Sequence, residues 1–359
     1  MMISRLQLEK IEKLLFQNKA IIIYGPRQVG KTTLSEELLQ RQKHSFVHLN
    51  GDDFDVRELL QKPNESLIRK LIGEHKILFI DEAQRIENIG LVIKIAVDRI
   101  KEVQIIATGS SSFDLAGKVS EPLTGRKHEI MLLPFSHAEL LNQFGFLEEK
   151  RNIENRLIFG CYPEVVSRPL EAEKTIRTLS NSYLYKDIFL LDKMKNPKLL
   201  QKLVKALALQ VGSQVNINEL SRLLGASNKT IEKYIQLLED TFVIFSLTSF
   251  SKNVRNELKK SRKIYFYDNG VLNAAKGNYN QIQHREDQGA LWENYLLSER
   301  RKLLNINEIF TETYFWRTTQ QQEIDYIEIA QGRIAAYEFK WNAKRKAKFS
   351  KTFLRAYPT

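Results

Sequence analysis

The sequence has a single cysteine, Cys161, in 359 residues. No internal disulfide can form, and the chain suits a reducing cytoplasm. No apolar run approaches the roughly 18–20 residues of a membrane span, so no membrane partner is expected. The opening segment, MMISRLQLEKIEKLLF, carries acidic residues and no small-residue cleavage site. It reads as an amphipathic helix, not a secretion signal. Repeats of fixed period are absent, and low complexity is confined to the basic tail. With 43% hydrophobic and 27% charged residues, disorder and collagen-like chains are excluded, and the length predicts two or three domains.

What is plentiful is positive charge. The net charge is +12, and two stretches hold all of it: residues 251–263 carry +5 and residues 331–359 carry +7. A basic C-terminal half points to a polyanionic partner, nucleic acid first, or to a solvated surface.

Short apolar runs set the fold class. Residues 20–24 (AIIIY), 77–80 (ILFI) and 103–107 (VQIIA) each end in small or polar residues, and helical stretches lie between them. Buried strands alternating with helices predict an α/β fold with a parallel sheet covered on both faces, continuing to about Phe135. Residues 136–192 read as helical. Three more helices follow over 198–240, the third with Ser227 as N-cap and Ile231, Tyr234, Ile235 and Leu238 on one face. Strand-like runs at 242–249 and 263–268 flank a basic loop. Three helices and a hairpin describe a winged helix-turn-helix. A helix over 289–304 and strands at 313–318, 323–330 and 333–341 complete the chain.

Gly25-Pro26-Arg27-Gln28-Val29-Gly30-Lys31-Thr32 fits G-x-x-x-x-G-K-[ST], with a strand before and a helix, entered through Thr33, after. The backbone N–H groups of such a loop close around phosphate oxygens, and the helix dipole adds positive potential. Lys31 is expected on the β- and γ-phosphates of ATP, and the Thr32 hydroxyl on Mg²⁺. Asp81 and Glu82 end the second apolar run. Asp81 is expected to hold the magnesium, and Glu82 to orient and deprotonate the attacking water. Thr108 and Ser110 end the third run, where a hydroxyl serves either as a γ-phosphate sensor or in a local turn. Arg126 is read as a finger for transition-state charge or as half of a salt bridge.

The ordered set GPRQVGKTTL, FIDEAQ, ATGSSS, LTGR, LLPFS, GCYPEVV, YLYKDI, YFYDNGVLNA, LWENYL, EIDYI and YEFKW resembles the prokaryotic AAA-type ATPases that carry a C-terminal nuclease-like domain of unknown function. The matching stretches run from about residue 20 to 342. The resemblance implies a P-loop ATPase core with a helical lid over 1–195 and a winged helix-turn-helix over 196–280. It implies a small α+β, restriction-endonuclease-like domain of the PD-(D/E)XK type over 281–359. The chain stops after Ala356-Tyr357-Pro358-Thr359 where that domain normally continues into another strand, so the tail is read as truncated.

In the winged helix, Asn228, Lys229, Glu232, Lys233 and Gln236 are expected to point outward. Asn, Gln and Lys suit bases and phosphates, whereas Glu232 and Glu239 repel them. The surface is read as contacting DNA or as packing on protein. Lys259, Lys260, Arg262 and Lys263 are expected to track phosphates.

In the tail, a two-residue turn at Gln331-Gly332 would pair residues whose numbers sum to 663. Asp325 then faces Glu338, and Glu323 faces Lys340, all on one face. Opposed carboxylates repel unless a divalent cation lies between them. Asp325, Glu338 and Lys340 match the D…E-x-K order of PD-(D/E)XK nucleases, and Glu293 matches an additional helical acid of that superfamily. The resemblance therefore implies Mg²⁺ on Glu293, Asp325 and Glu338, with Lys340 catalytic in DNA cleavage, or else an inactive relic. Three functions follow: an ATP-hydrolysing, DNA-binding machine with a nuclease-like tail, a non-catalytic ATP-controlled switch binding DNA or protein, and a ring-forming remodeller acting on protein. An Arg126 acting on a neighbour would require a homo-oligomer.

Overall fold

The computed structural model describes residues 3–110, 123–183, 196–250, 262–318, 320–342, 344 and 347–357. Most of YLYKDI and the basic loop up to residue 261, with Lys259 and Lys260, lie outside the described residues. The chain divides into two compact units, one built on residues up to Phe135 and one built from Ser136 onward, with Asp240–Phe242 clustering with the first.

The first unit is a P-loop NTPase sheet. Five parallel strands, β1 (Ala20–Tyr24), β2 (Phe46–Asn50), β3 (Ile77–Asp81), β4 (Gln104–Gly109) and β5 (Lys127–Met131), stand in the order β2-β3-β4-β1-β5. β3 and β4 are buried along their whole length, while the edge strands β2 and β5 are largely half-exposed. That difference accounts for why only the central strands read as continuous apolar runs. One face packs Ile22, Leu78, Ile80, Ile105 and Ala107 against Ile89, Ile93 and Ala96 of the helix Ile89–Arg99. The strands point their carboxyl ends to one edge, where ligands of open α/β sheets bind.

The second unit holds the helices expected as a lid. Part of their attachment is polar and joins distant parts of the chain. Asp268 accepts from the backbone N–H groups of Cys161 (2.7 Å) and Gly270 (2.8 Å), and Asn273 donates to the carbonyls of Leu157 and Ile158. Asn294 accepts from Phe266 N–H and donates to the Phe266 carbonyl and to Asn269. A Cβ on Gly160 would lie 2.0 Å from the Asp268 carboxylate, so only glycine fits there. The stretches GCYP, YDNGVLNA and LWENYL thus act together as one buried network, well separated in sequence.

The helices Pro197–Leu209, Ile217–Leu224 and Asn228–Asp240 follow. The last buries Ile231, Tyr234, Ile235 and Leu238, the expected face, and Ser227 caps it by accepting from Thr230 N–H. Six strands then form one sheet. These are β6 (Gln214–Val215), β7 (Ile244–Ser249), β8 (Arg262–Phe266), β9 (Glu312–Arg317), β10 (Glu323–Ala330) and β11 (Arg333–Tyr337). The order is β11-β10-β9-β7-β8-β6. β7 pairs antiparallel with β8 and parallel with β9, through Thr248 to Tyr314 and Ser249 to Phe315. The hairpin and the tail, expected as separate domains, therefore share a sheet.

Candidate functional site

β1 runs into Gly25, whose Cβ would lie 2.0 Å from the Leu132 carbonyl oxygen, so the loop can turn only with glycine there. Gln28 and Gly30 both take positive φ, at 58° and 88°. The helix Lys31–Arg41 then starts at the loop's end. Pro26 and Val29 are buried, Arg27 is half-buried, and Gln28 and Thr33 are exposed. Lys31 is buried, and its ammonium donates to the carbonyls of Gly25 (2.9 Å) and Pro26 (2.8 Å).

The acids arrive from β3, with β4 between β3 and β1. The order of strands was not readable from spacing, and it decides which hydroxyl meets Asp81. Thr32 Oγ1 donates to Asp81 Oδ2 at 2.9 Å, and the Thr108 hydroxyl donates to Asp81 Oδ1. Glu82 N–H is shared between Asp81 Oδ1 (3.1 Å) and Thr108 Oγ1 (3.3 Å). Thr32, Asp81 and Thr108 therefore form a continuous chain across the carboxyl ends of three adjacent strands. Thr32 and Asp81 offer hard oxygen donors within hydrogen-bond distance of each other, and this pair fits a magnesium ion.

Glu82 follows in a left-handed conformation, φ 46° and ψ 39°. Its carboxylate accepts from the Gln84 side-chain amide, and Gln84 Oε1 accepts from Ser110 N–H at 3.3 Å. Ser110, expected to offer a hydroxyl, is thus tied to the site through its backbone, and Thr108 is the residue whose hydroxyl meets Asp81. Two contributors escaped the sequence reading. Gln84 carried no signal beyond its place in FIDEAQ. Arg5, from the opening segment, donates to the Val29 carbonyl and lies 4.1 Å from the Phe135 ring.

Arg126 is placed elsewhere. It immediately precedes β5, and its carbonyl accepts from Ala20 N–H, so it marks the amino-terminal edge of the sheet. A five-residue strand, roughly 15 Å, separates that edge from the P-loop. Arg126 Nε donates to Asp98 Oδ1 at 2.7 Å, and this bond is what raises the guanidinium pKa. A finger acting on its own protomer's nucleotide is excluded by this placement; the salt-bridge reading is satisfied.

In the tail, the hairpin register is the expected one: Ala330 pairs with Arg333 and Tyr326 with Tyr337, around Gln331 and Gly332 at φ 51° and 77°. β11 ends at Tyr337, so Asp325 and Glu338 lie one step beyond the last pair. Asp325 Oδ2 accepts from Phe339 N–H at 2.8 Å and lies 3.8 Å from Lys340 Nζ. Lys340 Nζ is 2.8 Å from Glu338 Oε2. Glu293 Oε1 accepts from Tyr265 OH at 2.6 Å and lies 3.6 Å from Lys263 Nζ, and the same ammonium pairs with Glu323. Burial pushes the Glu293 carboxyl up to about 7, against the pull of Lys263. Burial also raises Asp325 and Glu338.

Two corrections follow. Glu293, Asp325 and Glu338 do not form the expected three-ligand metal cluster as they stand. Among the described residues no three acidic or imidazole side chains are arranged to hold a metal, and ammonium groups and a backbone N–H take their oxygens. Asp325 and Glu338, expected to face each other across a cation or to pair with Lys340, are partnered by the Phe339 N–H and by Lys340. Lys263, expected on DNA phosphates, is 1% exposed and is spent on Glu293 and Glu323.

With this geometry in place, the comparisons are specific to segments. Residues 17–141 match the family described as AAA domain, and residues 150–282 and 288–359 match two domains of unknown function. An uncharacterized protein of Mycobacterium tuberculosis is 27% identical over 336 residues, covering 92% of this chain and 72% of its own. The 26S proteasome regulatory subunit 6B homolog of Saccharomyces cerevisiae is 28% identical over 178 residues, 46% of this chain and 40% of its own. Among solved structures, the Thermotoga maritima RuvB Holliday junction branch migration motor is similar over 72% of this chain and 95% of its own. Its identity is 16% and its TM-score 0.34. The first unit is an AAA-type P-loop domain. Among the described residues no helix is long and apolar enough to cross a membrane.

Proposed function

We propose that the chain is an ATP-hydrolysing AAA-type protein that works on DNA as an assembly of copies in the cytoplasm. The hydrogen-bonded chain Thr32–Asp81–Thr108, with Glu82 beside it at the P-loop edge, carries this reading. The backbone of Gly25 to Thr33 wraps the phosphates, and Lys31 exchanges its two loop carbonyls for β- and γ-phosphate oxygens. Thr32 and Asp81 would hold magnesium, which would supply charge neutralisation at the phosphates. Glu82 takes the proton of the attacking water, and Thr108 registers the state of Asp81. Lys31→Ala should abolish nucleotide binding. Glu82→Gln should bind ATP with wild-type affinity and lose roughly 10²–10⁴-fold in kcat, because an amide takes up no proton. An unchanged kcat in Glu82→Gln would remove the base assignment.

DNA contact is supported by the +12 charge and by the outward Asn228, Lys229, Lys233 and Gln236 on the proposed winged helix, all exposed. Glu232, also exposed, lies 3.9 Å from Arg262, which tempers its repulsion. If these groups and the basic segments track phosphates, the affinity for a DNA duplex, read by fluorescence anisotropy, should fall steeply and log-linearly with salt. A flat salt dependence favours the rival reading, an ATP-controlled switch that binds protein. Metal-dependent cleavage by the tail is not part of this proposal, because its acids are held by lysines.

A further inference from the structure

We propose that the acidic cluster of the tail is a metal-free ionic hub whose resident cation is the Lys263 ammonium, and that this hub ties the β7–β8 hairpin to the tail sheet. The observations are geometric. Lys263 comes from β8, Glu293 from the helix Gln288–Ile306, and Glu323 from the start of β10. One buried ammonium meets both carboxylates. Arg317 of β9 takes the other oxygen of Glu323 at 3.5 Å, and Tyr265 takes Glu293 from the same side of β8. Lys340 closes the opposite end on Glu338 and Asp325. Lys263 also lies 5.3 Å from the centre of the Phe315 ring, a face that favours a cation.

Four carboxylates gathered in a half-buried site need positive charge from somewhere. In a site built for a divalent ion, that charge is the ion, and oxygens are left pointing at a common centre. Here Lys263, Lys340 and Arg317 supply three positive charges from the chain itself. Hairpin and tail share a sheet across β7 and β9 through a short parallel pairing of two registered residue pairs. The hub supplies a second, ionic link between the same two parts.

The test is Mn²⁺ binding, followed by electron paramagnetic resonance, to the nucleotide-free full chain. Wild type should bind no more Mn²⁺ than Asp325→Asn. Lys263→Met, which removes the ammonium and keeps an unbranched chain, should gain one equivalent, and Lys263→Met/Asp325→Asn should lose it again. If Lys263→Met does not fold, Lys263→Met/Glu323→Gln removes one charge of each sign, keeps Glu293, Asp325 and Glu338, and should show the same gain. A wild-type chain that holds one equivalent more than Asp325→Asn overturns the proposal. So does a folded Lys263 variant that gains none.

Discussion

Glu82 sits in a left-handed conformation that costs a non-glycine residue about 1–2 kcal/mol. Such strain persists where surrounding contacts over-determine it, and here they are Asp81, Thr108 and Gln84. Gln84 fixes the direction of the Glu82 carboxylate and ties it to the backbone after β4. Gln84→Ala should therefore lower kcat about tenfold with KM for ATP little changed, a loss confined to the chemical step. Steady-state ATPase kinetics would show it; a raised KM with unchanged kcat would instead mean that Gln84 serves binding. Cys161 is a residue of the opposite kind. Burial pushes its thiol up to about 12, so almost no thiolate exists at neutral pH. An aromatic disulfide reagent should leave it unlabelled in the folded protein and label one thiol on denaturation.

At the scale of elements, charged and amide side chains add ties between parts of the second unit. Asp287, ahead of the helix Gln288–Ile306, accepts from Arg285 (2.8 Å) and Lys276 (2.8 Å). Burial pushes its carboxyl up, but these two hydrogen bonds outweigh burial and hold it well below the usual carboxylate range. A folded-state pKa below the unfolded one gives stability that is present above the unfolded carboxylate pKa, about 3.9. It is lost as pH falls below that value. Asp287→Asn should cost about 1.5–3 kcal/mol at neutral pH. It should also shallow the acid limb of the stability curve, read from urea midpoints at a series of pH values. A variant with the wild-type acid limb would show that the pairing contributes nothing to folding. The tail hairpin belongs to the same scale. Its register follows from two residues at positive φ, while the extension of the strand to Glu338 was cut short by the Phe339 N–H turning to Asp325.

At the scale of the molecule, Arg126 sets the condition for assembly. It lies at the edge of the sheet away from its own P-loop, so any role in hydrolysis must be exercised on a neighbour. Turnover per protomer should then rise with protein concentration. Mixing Arg126→Ala with Lys31→Ala should restore part of the activity, since each supplies what the other lacks. No recovery in a mixture that co-sediments would leave Arg126 as the partner of Asp98 alone. Charge acts at this scale as well: the surplus is carried by particular segments, and one of its members, Lys263, is consumed internally.

The sequence by itself determined what is local. Glycine, lysine and threonine at fixed spacing make a phosphate loop wherever a strand precedes and a helix follows. Continuous apolar runs mark strands buried on both faces, and Gln331-Gly332 sets a hairpin register. These depend on backbone conformations a few residues long. What the tertiary structure decided was everything that rests on which elements become neighbours. Placing β4 between β1 and β3 brought the Thr108 hydroxyl to Asp81. Placing β5 beside β1 sent Arg126 to the far edge. Asp268 tied the Cys161 backbone to the turn at Gly270, residues more than a hundred positions apart. Pairing β7 with β9 made one sheet of two expected domains and brought Lys263 to Glu293 and Glu323. Residues 30 to 60 positions apart met there because burial and pairing, not spacing along the chain, set the distance. A lysine next to a basic loop therefore read as a phosphate contact until the fold supplied its acids.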